Sequence, residues 1–202
     1  MSISAADVKA LRDRTGAAMM DCKAALAESD GDVDRAIEIL RVKGQASAAK
    51  REGRGTSEGV VASYTHANDR VGAMVEVQCE TDFVARNEDF KAFAYEVALH
   101  VAATAPTYVS SDEIPAEERE AEKRVFEEKA REDGKPDNVV EKIVEGQLAK
   151  WAKEVALLDQ DHVNAEKHDS KSIEELRQEL AAKTGENIRV ARFAYFRVGE
   201  GD

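Results

Sequence analysis

The chain carries 202 residues with a formal net charge of −12, 35% charged residues and 5% aromatic ones. That length allows one ordinary domain plus a small one, and the acidity disfavours non-specific attachment to nucleic acid or anionic membrane, both polyanions. No apolar run approaches a membrane span, Met1–Asp7 lacks the basic-then-apolar layout of a secretory signal, and Cys22 and Cys79 share no close spacing, so a cytoplasmic protein with two buried, unpaired thiols is expected.

Helices open the chain. Ser4, with Asp7 three positions on, can cap a first helix whose buried stripe is Val8 and Leu11 and whose end is Thr15-Gly16. A second helix is predicted over Ala17–Ala27 around Met19, Met20, Cys22, Ala25 and Leu26. Of two adjacent helical methionines one should face outward, as an adaptable contact. Asp32 starts a third helix with Val33, Ala36, Ile37 and Leu40 on one face and Gly44 as its stop. The acids from Asp30 to Asp34 have the rhythm of a calcium loop, but Arg35 and Arg41 stand where that loop needs glycine and glutamate. Gln45–Ser57 then reads as a helical tail breaking into a flexible linker. Its basic residues Lys50, Arg51 and Arg54 lack the aromatic platforms of an RNA site.

From Glu58 the period switches to two. Val60–Tyr64 and Arg70–Cys79 are strands joined by turn chemistry at Ala67–Arg70. Gln78–Asn87 then connects the second strand to a helix marked by Phe90, Phe93, Ala94, Val97 and Val101, with Asn87 as N-cap. Phe83 falls in that connection between Asp82 and Arg86. Two readings fit a bulky apolar residue there: insertion into a cleft on a partner, or folding back as a local plug.

An acidic helix is expected over Ala116–Asp133, a break at Gly134-Lys135-Pro136, and a further helix from Asp137 towards Leu158. His100 reads as packing, and His162 and His168 as surface histidines, since the spacings of zinc sites are absent. Ser172-Ile173-Glu174-Glu175 is a capping box for a last helix ending at Thr184-Gly185. Ile188–Val198 alternates with apolar residues on both faces, which suits a central or interface strand. These patterns predict an α+β fold: a three-helix module over 1–44, a linker over 45–57, and a core over 58–202 in which a small antiparallel sheet packs with helices. No nucleophile beside a base, Gly-rich phosphate loop or metal tetrad is found, so neither an enzyme nor a cofactor is expected. An adaptor whose three-helix module recognises other chains is the alternative of a different class.

The segment Glu80-Thr81-Asp82-Phe83-Val84-Ala85-Arg86-Asn87 closely resembles the Thr-Asp-Phe-Val motif of elongation factor Ts, the guanine-nucleotide exchange factor for elongation factor Tu. Val8–Gly16 and Met19–Leu26 look like the two phrases that open that family; Tyr108-Val109-Ser110, Gly134-Lys135-Pro136, Glu141–Gly146 and Gly185–Ile188 with Gly199-Glu200-Gly201 follow in the family's order. The resemblance implies a ubiquitin-associated-like fold for the helical module. It also implies that Asp82 and Phe83 enter the GTP-binding domain of Tu and displace the elements holding magnesium and phosphates. Thr81 would shape that turn, Val84 would share the contact, and Leu11, Arg12, Met19 and Met20 would clasp the same domain. Longer members carry a duplicated core, whereas this chain has room for about one, so a homodimer pairing core units is expected. Direct binding of nucleotide, nucleic acid or membrane is not.

Overall fold

The computed structural model describes residues 3–200; Met1, Ser2, Gly201 and Asp202 lie outside the described residues, Gly201 of the C-terminal motif among them. The fold is α+β, with helices and a three-stranded antiparallel sheet in the order β1 (Glu58–Thr65), β2 (Val71–Cys79), β3 (Arg189–Arg197). Two compact units divide the chain: Met1–Val61, Val77–Ala94 and Glu175–Val190 form one, and Ala62–Glu76, Tyr95–Glu174 and Ala191–Asp202 the other. Among the described residues no helix is long and apolar enough to cross a membrane.

In the first unit, α1 (Ala5–Thr15) begins with the capping box the sequence suggests. Asp7 N donates to Ser4 Oγ (3.2 Å) and Ser4 N donates to Asp7 Oδ2 (3.0 Å), satisfying two otherwise orphaned amides. The Asp7 carboxyl is held below the usual carboxylate range first by the Ser4 hydroxyl, which donates to Oδ2 at 2.7 Å, and then by the Ser4 N–H. Next come α2 (Met19–Glu28) and α3 (Val33–Ala49), the latter capped by Asp32 Oδ1, which accepts from Arg35 N at 3.0 Å. Val8, Leu11, Cys22, Ala25, Leu26 and Ala36 form one buried cluster, with Ile37 and Leu40 packed against it. Gly44 does not stop α3, contrary to expectation. A β-carbon there would lie 3.3 Å from the Ala182 side chain of α8 (Ile173–Thr184), so this glycine serves close helix packing instead.

Strand β2 keeps its predicted alternation, with Ala73, Val75, Val77 and Cys79 buried and Met74 exposed. Cys22 and Cys79 are buried free thiols. The short helix α4 (Asp82–Ala85) leads into α5 (Glu88–Thr104). Asn87 caps α5 as predicted: its Oδ1 accepts from Asp89 N at 2.8 Å. Strand β3 is an edge strand, with β2 central, so of the two readings of its pattern, central or interface strand, the central one is removed. Its two-sided apolar pattern has another basis: Val190 is buried, Ala191, Phe193 and Tyr195 are half-buried, and Ala194 and Phe196 remain exposed.

The second unit holds the helical hairpin α6 (Ala116–Glu132) and α7 (Asp137–Val155), closed over Ala130, Val140 and Val144. Gly134 and Lys135 donate to Arg131 O (2.9 Å) and Ala130 O (3.1 Å), ending α6 at the predicted break. His162 is not on the surface. It is 2% exposed, because a loop closed by Nδ1 accepting from Asn164 N (3.0 Å) turns its ring inward beside His100, centroids 5.4 Å apart. The His100 ring accepts from Val163 N at Nδ1 (3.0 Å), so Nε2 carries the proton and donates to Gln160 Oε1 at 2.8 Å. Burial pushes His100 down from an ordinary 6.5 to about 4 and lowers His162 as well.

Two expected outcomes follow from this packing. A β-carbon at Gly59 would lie 2.2 Å from Val77 O, so Gly59→Ala forces β1 away from β2 and lowers unfolding stability by about 3 kcal/mol, read from urea midpoints. For His100 the folded value lies below the unfolded one, so its contribution is present above 6.5 and is lost as pH falls towards about 4. Urea unfolding at pH of about 7 and about 4.5 should show His100→Gln losing on the order of 2 kcal/mol less than wild type between them. An equal loss in both assigns the acid sensitivity to other groups.

Candidate functional site

The segment after β2 is set by its backbone. Cys79, the last residue of β2, is fully buried, and its thiol donates to Thr81 O at 3.2 Å. Burial, with the Glu186 carboxylate second, raises that thiol to about 11, so it stays protonated and is no nucleophile. Thr81 is extended (φ −127°, ψ 155°), and its Oγ1 caps α4 by accepting from Val84 N at 3.4 Å. The three residues after Thr81 diverge. Asp82 and Val84 are half-buried, whereas Phe83 is 81% exposed. Of the two readings of Phe83, the local plug is therefore wrong. Asp82 pairs with Arg86 at 3.0 Å across one turn, an exposed contact of little energetic weight.

What fixes this turn comes from far along the chain. Glu186 Oε2 accepts from Glu80 N (3.0 Å) and Thr81 N (3.1 Å), while Oε1 accepts from the Thr81 hydroxyl at 2.6 Å. In return, Asn187 N donates to Glu80 Oε1 at 2.6 Å. The Asn187 amide also donates to Glu52 O (3.2 Å) and Arg54 O (2.9 Å), so the residues after α3 are latched rather than free. Hydrogen bonds to a charged acceptor are worth about 1.5–3 kcal/mol each when shielded from water. These partners were missed in the sequence. The available signal was an acid and an asparagine directly after a helix-ending glycine, polar groups with no helix or strand to serve.

The same stretch reaches the helical module. A β-carbon at Gly16 would lie 3.3 Å from Lys183 Cδ, and Lys183 Nζ pairs with Asp89 at 2.6 Å. Arg41 pairs with Glu175, and Arg51 donates to Ala181 O at 3.4 Å. Of the predicted contact residues on the module, Arg12 is exposed, and Met19 and Met20 are both exposed, at 43% and 71%. One of the two was expected to face outward; both do, in the first turn of α2. Leu11 is 2% exposed and belongs to the three-helix core.

Glu96, His162 and His168 each offer one ligand atom within 4.8 Å of the others. Their bonding opposes a metal ion. Because His162 Nδ1 already accepts the Asn164 N–H, its ring proton sits on Nε2, facing Glu96 Oε2 at 3.5 Å. Freeing that nitrogen for a metal would move the proton to Nδ1, against the Asn164 N–H. Glu96 is instead a carboxylate among cations and rings, paired with Lys167 and 3.6 Å from His168 Nε2.

Comparison with known proteins agrees with the motifs. The model of the family described as Elongation factor TS matches residues 30–169. A protein named Elongation factor Ts from Geobacter sulfurreducens is 50% identical over 201 residues, covering 100% of this chain and 92% of its own length. Proteins of the same name from Syntrophomonas wolfei and Herpetosiphon aurantiacus are 51% and 53% identical, each over 98% of this chain and over 92% and 99% of their own.

Exposure and burial separate the two kinds of predicted residue by stability. Phe83→Ala should leave the urea midpoint unchanged to within about 0.5 kcal/mol, since water already surrounds the ring. Leu11→Ala should lower stability by about 2–5 kcal/mol through lost burial and a cavity. A large loss in Phe83→Ala would mean that the ring packs on its own subunit.

Proposed function

The chain belongs to the elongation factor Ts family, and so to the elongation factors of translation, and from that premise we propose that it binds elongation factor Tu in the cytoplasm and promotes release of GDP. The observation that carries this reading is the 81% exposure of Phe83 at the tip of a capped, hydrogen-bonded turn. An aromatic side chain bare in the free protein and fixed at its base is suited to fill an apolar pocket on a partner.

The mechanism is one of coupling rather than bond chemistry, and the factor is not an enzyme. If it binds nucleotide-free Tu more tightly than nucleotide-bound Tu, factor and nucleotide weaken each other equally. Each ~1.4 kcal/mol of that coupling is about tenfold in nucleotide affinity. Diffusion bounds the association rate, so the change is expressed as faster release. In this reading Phe83 fills a gap available only when the elements holding magnesium and phosphate are displaced. Asp82 fixes the turn or repels the ligands of the metal, Thr81 caps the turn, and Val84 flanks the contact. Loss of magnesium uncovers the diphosphate charge, which weakens nucleotide binding further.

The reading also divides the chain by task. Residues 1–44, a ubiquitin-associated-like module, clasp the same domain of Tu through Arg12, Met19 and Met20, with Leu11 holding α1 from the core. Residues 45–57 connect it to a core and dimerisation domain at 58–202. A homodimer is supported by apolar side chains left exposed on the sheet, Phe196 at 67% and Met74 at 49%, and just past β3, Val198 at 60%, which a second copy would cover. The factor takes no nucleotide, nucleic acid, membrane or cofactor of its own.

The test is release of a fluorescent GDP from Tu. Asp82→Ala and Phe83→Ala should still bind Tu but stimulate release at least about tenfold less, as expected when an interaction made only in the displaced state is removed. Stimulation equal to wild type in both variants would eliminate the wedge.

A further inference from the structure

We propose that Glu186 is the positioning residue for Asp82 and Phe83, an inference that rests on the wedge reading above and adds a group 100 residues away to it in function. Its carboxylate holds three donors at once: Glu80 N at 3.0 Å, Thr81 N at 3.1 Å and the Thr81 hydroxyl at 2.6 Å. The last bond matters most for direction. A hydroxyl has one proton. By taking that proton, Glu186 Oε1 turns the oxygen lone pairs of Thr81 Oγ1 towards Val84 N, 3.4 Å away. The relay from Glu186 through Thr81 to Val84 thus closes the turn on both sides of Asp82 and Phe83.

The neighbouring residue reinforces it. Asn187 N returns a bond of 2.6 Å to Glu80 Oε1, which Arg54 also approaches at 3.4 Å. Two short segments, Glu80-Thr81 and Glu186-Asn187, therefore exchange acid side chains for each other's backbone amides. Such an exchange specifies register as well as attraction, since each carboxylate is aimed by its own backbone. Phe83 contributes nothing to this placement, being 81% exposed. Rigid presentation of the ring is consequently a property of Glu186, and loss of that rigidity adds an ordering cost to every insertion.

The experiment combines nucleotide release with hydrogen exchange on the full chain. In GDP release from Tu, Glu186→Ala should lower maximal stimulation by about tenfold or more, as for misplaced reacting groups, with the half-saturating concentration moved by less than about threefold. Glu186→Gln keeps an oxygen for both amides but sets an NH2 against the Thr81 hydroxyl, so its stimulation should fall between wild type and Glu186→Ala. Thr81→Val, which removes only the relay, should fall in the same direction as Glu186→Ala. Adding Glu186→Ala to the double variant Asp82→Ala with Phe83→Ala should slow release no further, because a residue acting through Asp82 and Phe83 has nothing left to position. Independently of activity, the amides of Glu80 and Thr81 should exchange at least about tenfold faster in Glu186→Ala, while the amide of Leu26 in the helical core does not change. Wild-type stimulation by Glu186→Ala, effects that multiply with those of the Asp82→Ala, Phe83→Ala double variant, or unchanged exchange at Glu80 and Thr81 would each overturn the assignment. If Asp82→Ala and Phe83→Ala both stimulate like wild type, the wedge reading fails; the exchange rates still decide whether Glu186 sets the turn.

Discussion

Past the end of β2 the chain must leave the sheet and turn into α4, and the amides of Glu80 and Thr81 need acceptors there. The Glu186 carboxylate supplies both, at 3.0 and 3.1 Å, and takes the Thr81 hydroxyl as well. Much of the first unit's functional geometry depends on that arrangement. It sets the angle at which the strand ends, the cap of α4 and the point from which Phe83 projects. Cys79 beneath it is kept a protonated thiol by burial and by the same carboxylate, so the base of the turn is chemically inert.

The carboxylate is itself held by what precedes it. Residues of α8 meet α3 at Gly44 and Ala182 and at Arg41 and Glu175, Arg51 just past α3 donates to Ala181 O, and Lys183 spans from Gly16 to Asp89. Just beyond α8, Glu186 and Asn187 grip the exposed turn and the residues after α3. One stretch of chain thus anchors both the three-helix module and the turn. Under the proposed function these two surfaces address one partner, and a common anchor favours that, because each then costs less ordering when the other is docked.

Legibility followed the range of the interaction. Local signals were readable: the Ser4–Asp7 box, the Asp32 and Asn87 caps, the alternation of β2 and the glycine break after α6 all rest on contacts within a few residues. The place of Phe83 in a connection between charged neighbours was readable too, but whether the ring stays exposed or folds back was not. What failed depends on partners far along the chain. The Thr81–Glu186 bonds join residues 105 apart, so no window of sequence contains them. Gly44 has the composition of a helix stop and the role of a packing surface, which only the proximity of Ala182 reveals. His162 sits in a polar stretch, yet its ring is buried against His100 of α5, far back along the chain. The edge place of β3 likewise follows from strand order, to which an apolar pattern on both faces is blind.

An exposed aromatic prong poses a mechanical problem that ordinary cores do not. Apolar side chains are placed by their own burial, since the area removed from water both drives and fixes the packing. Phe83 gives up that mechanism by remaining 81% exposed; any contact that fixed it in the free protein would have to be broken before a partner could take it. Placement must then come from groups that hold the backbone and leave the ring bare. Directional bonds to a charged acceptor do this, because they are short, angular and set on main-chain atoms. A carboxylate at Glu186 is suited to the task where an alanine or leucine is not: it fixes the neighbouring amides without covering the side chain they present.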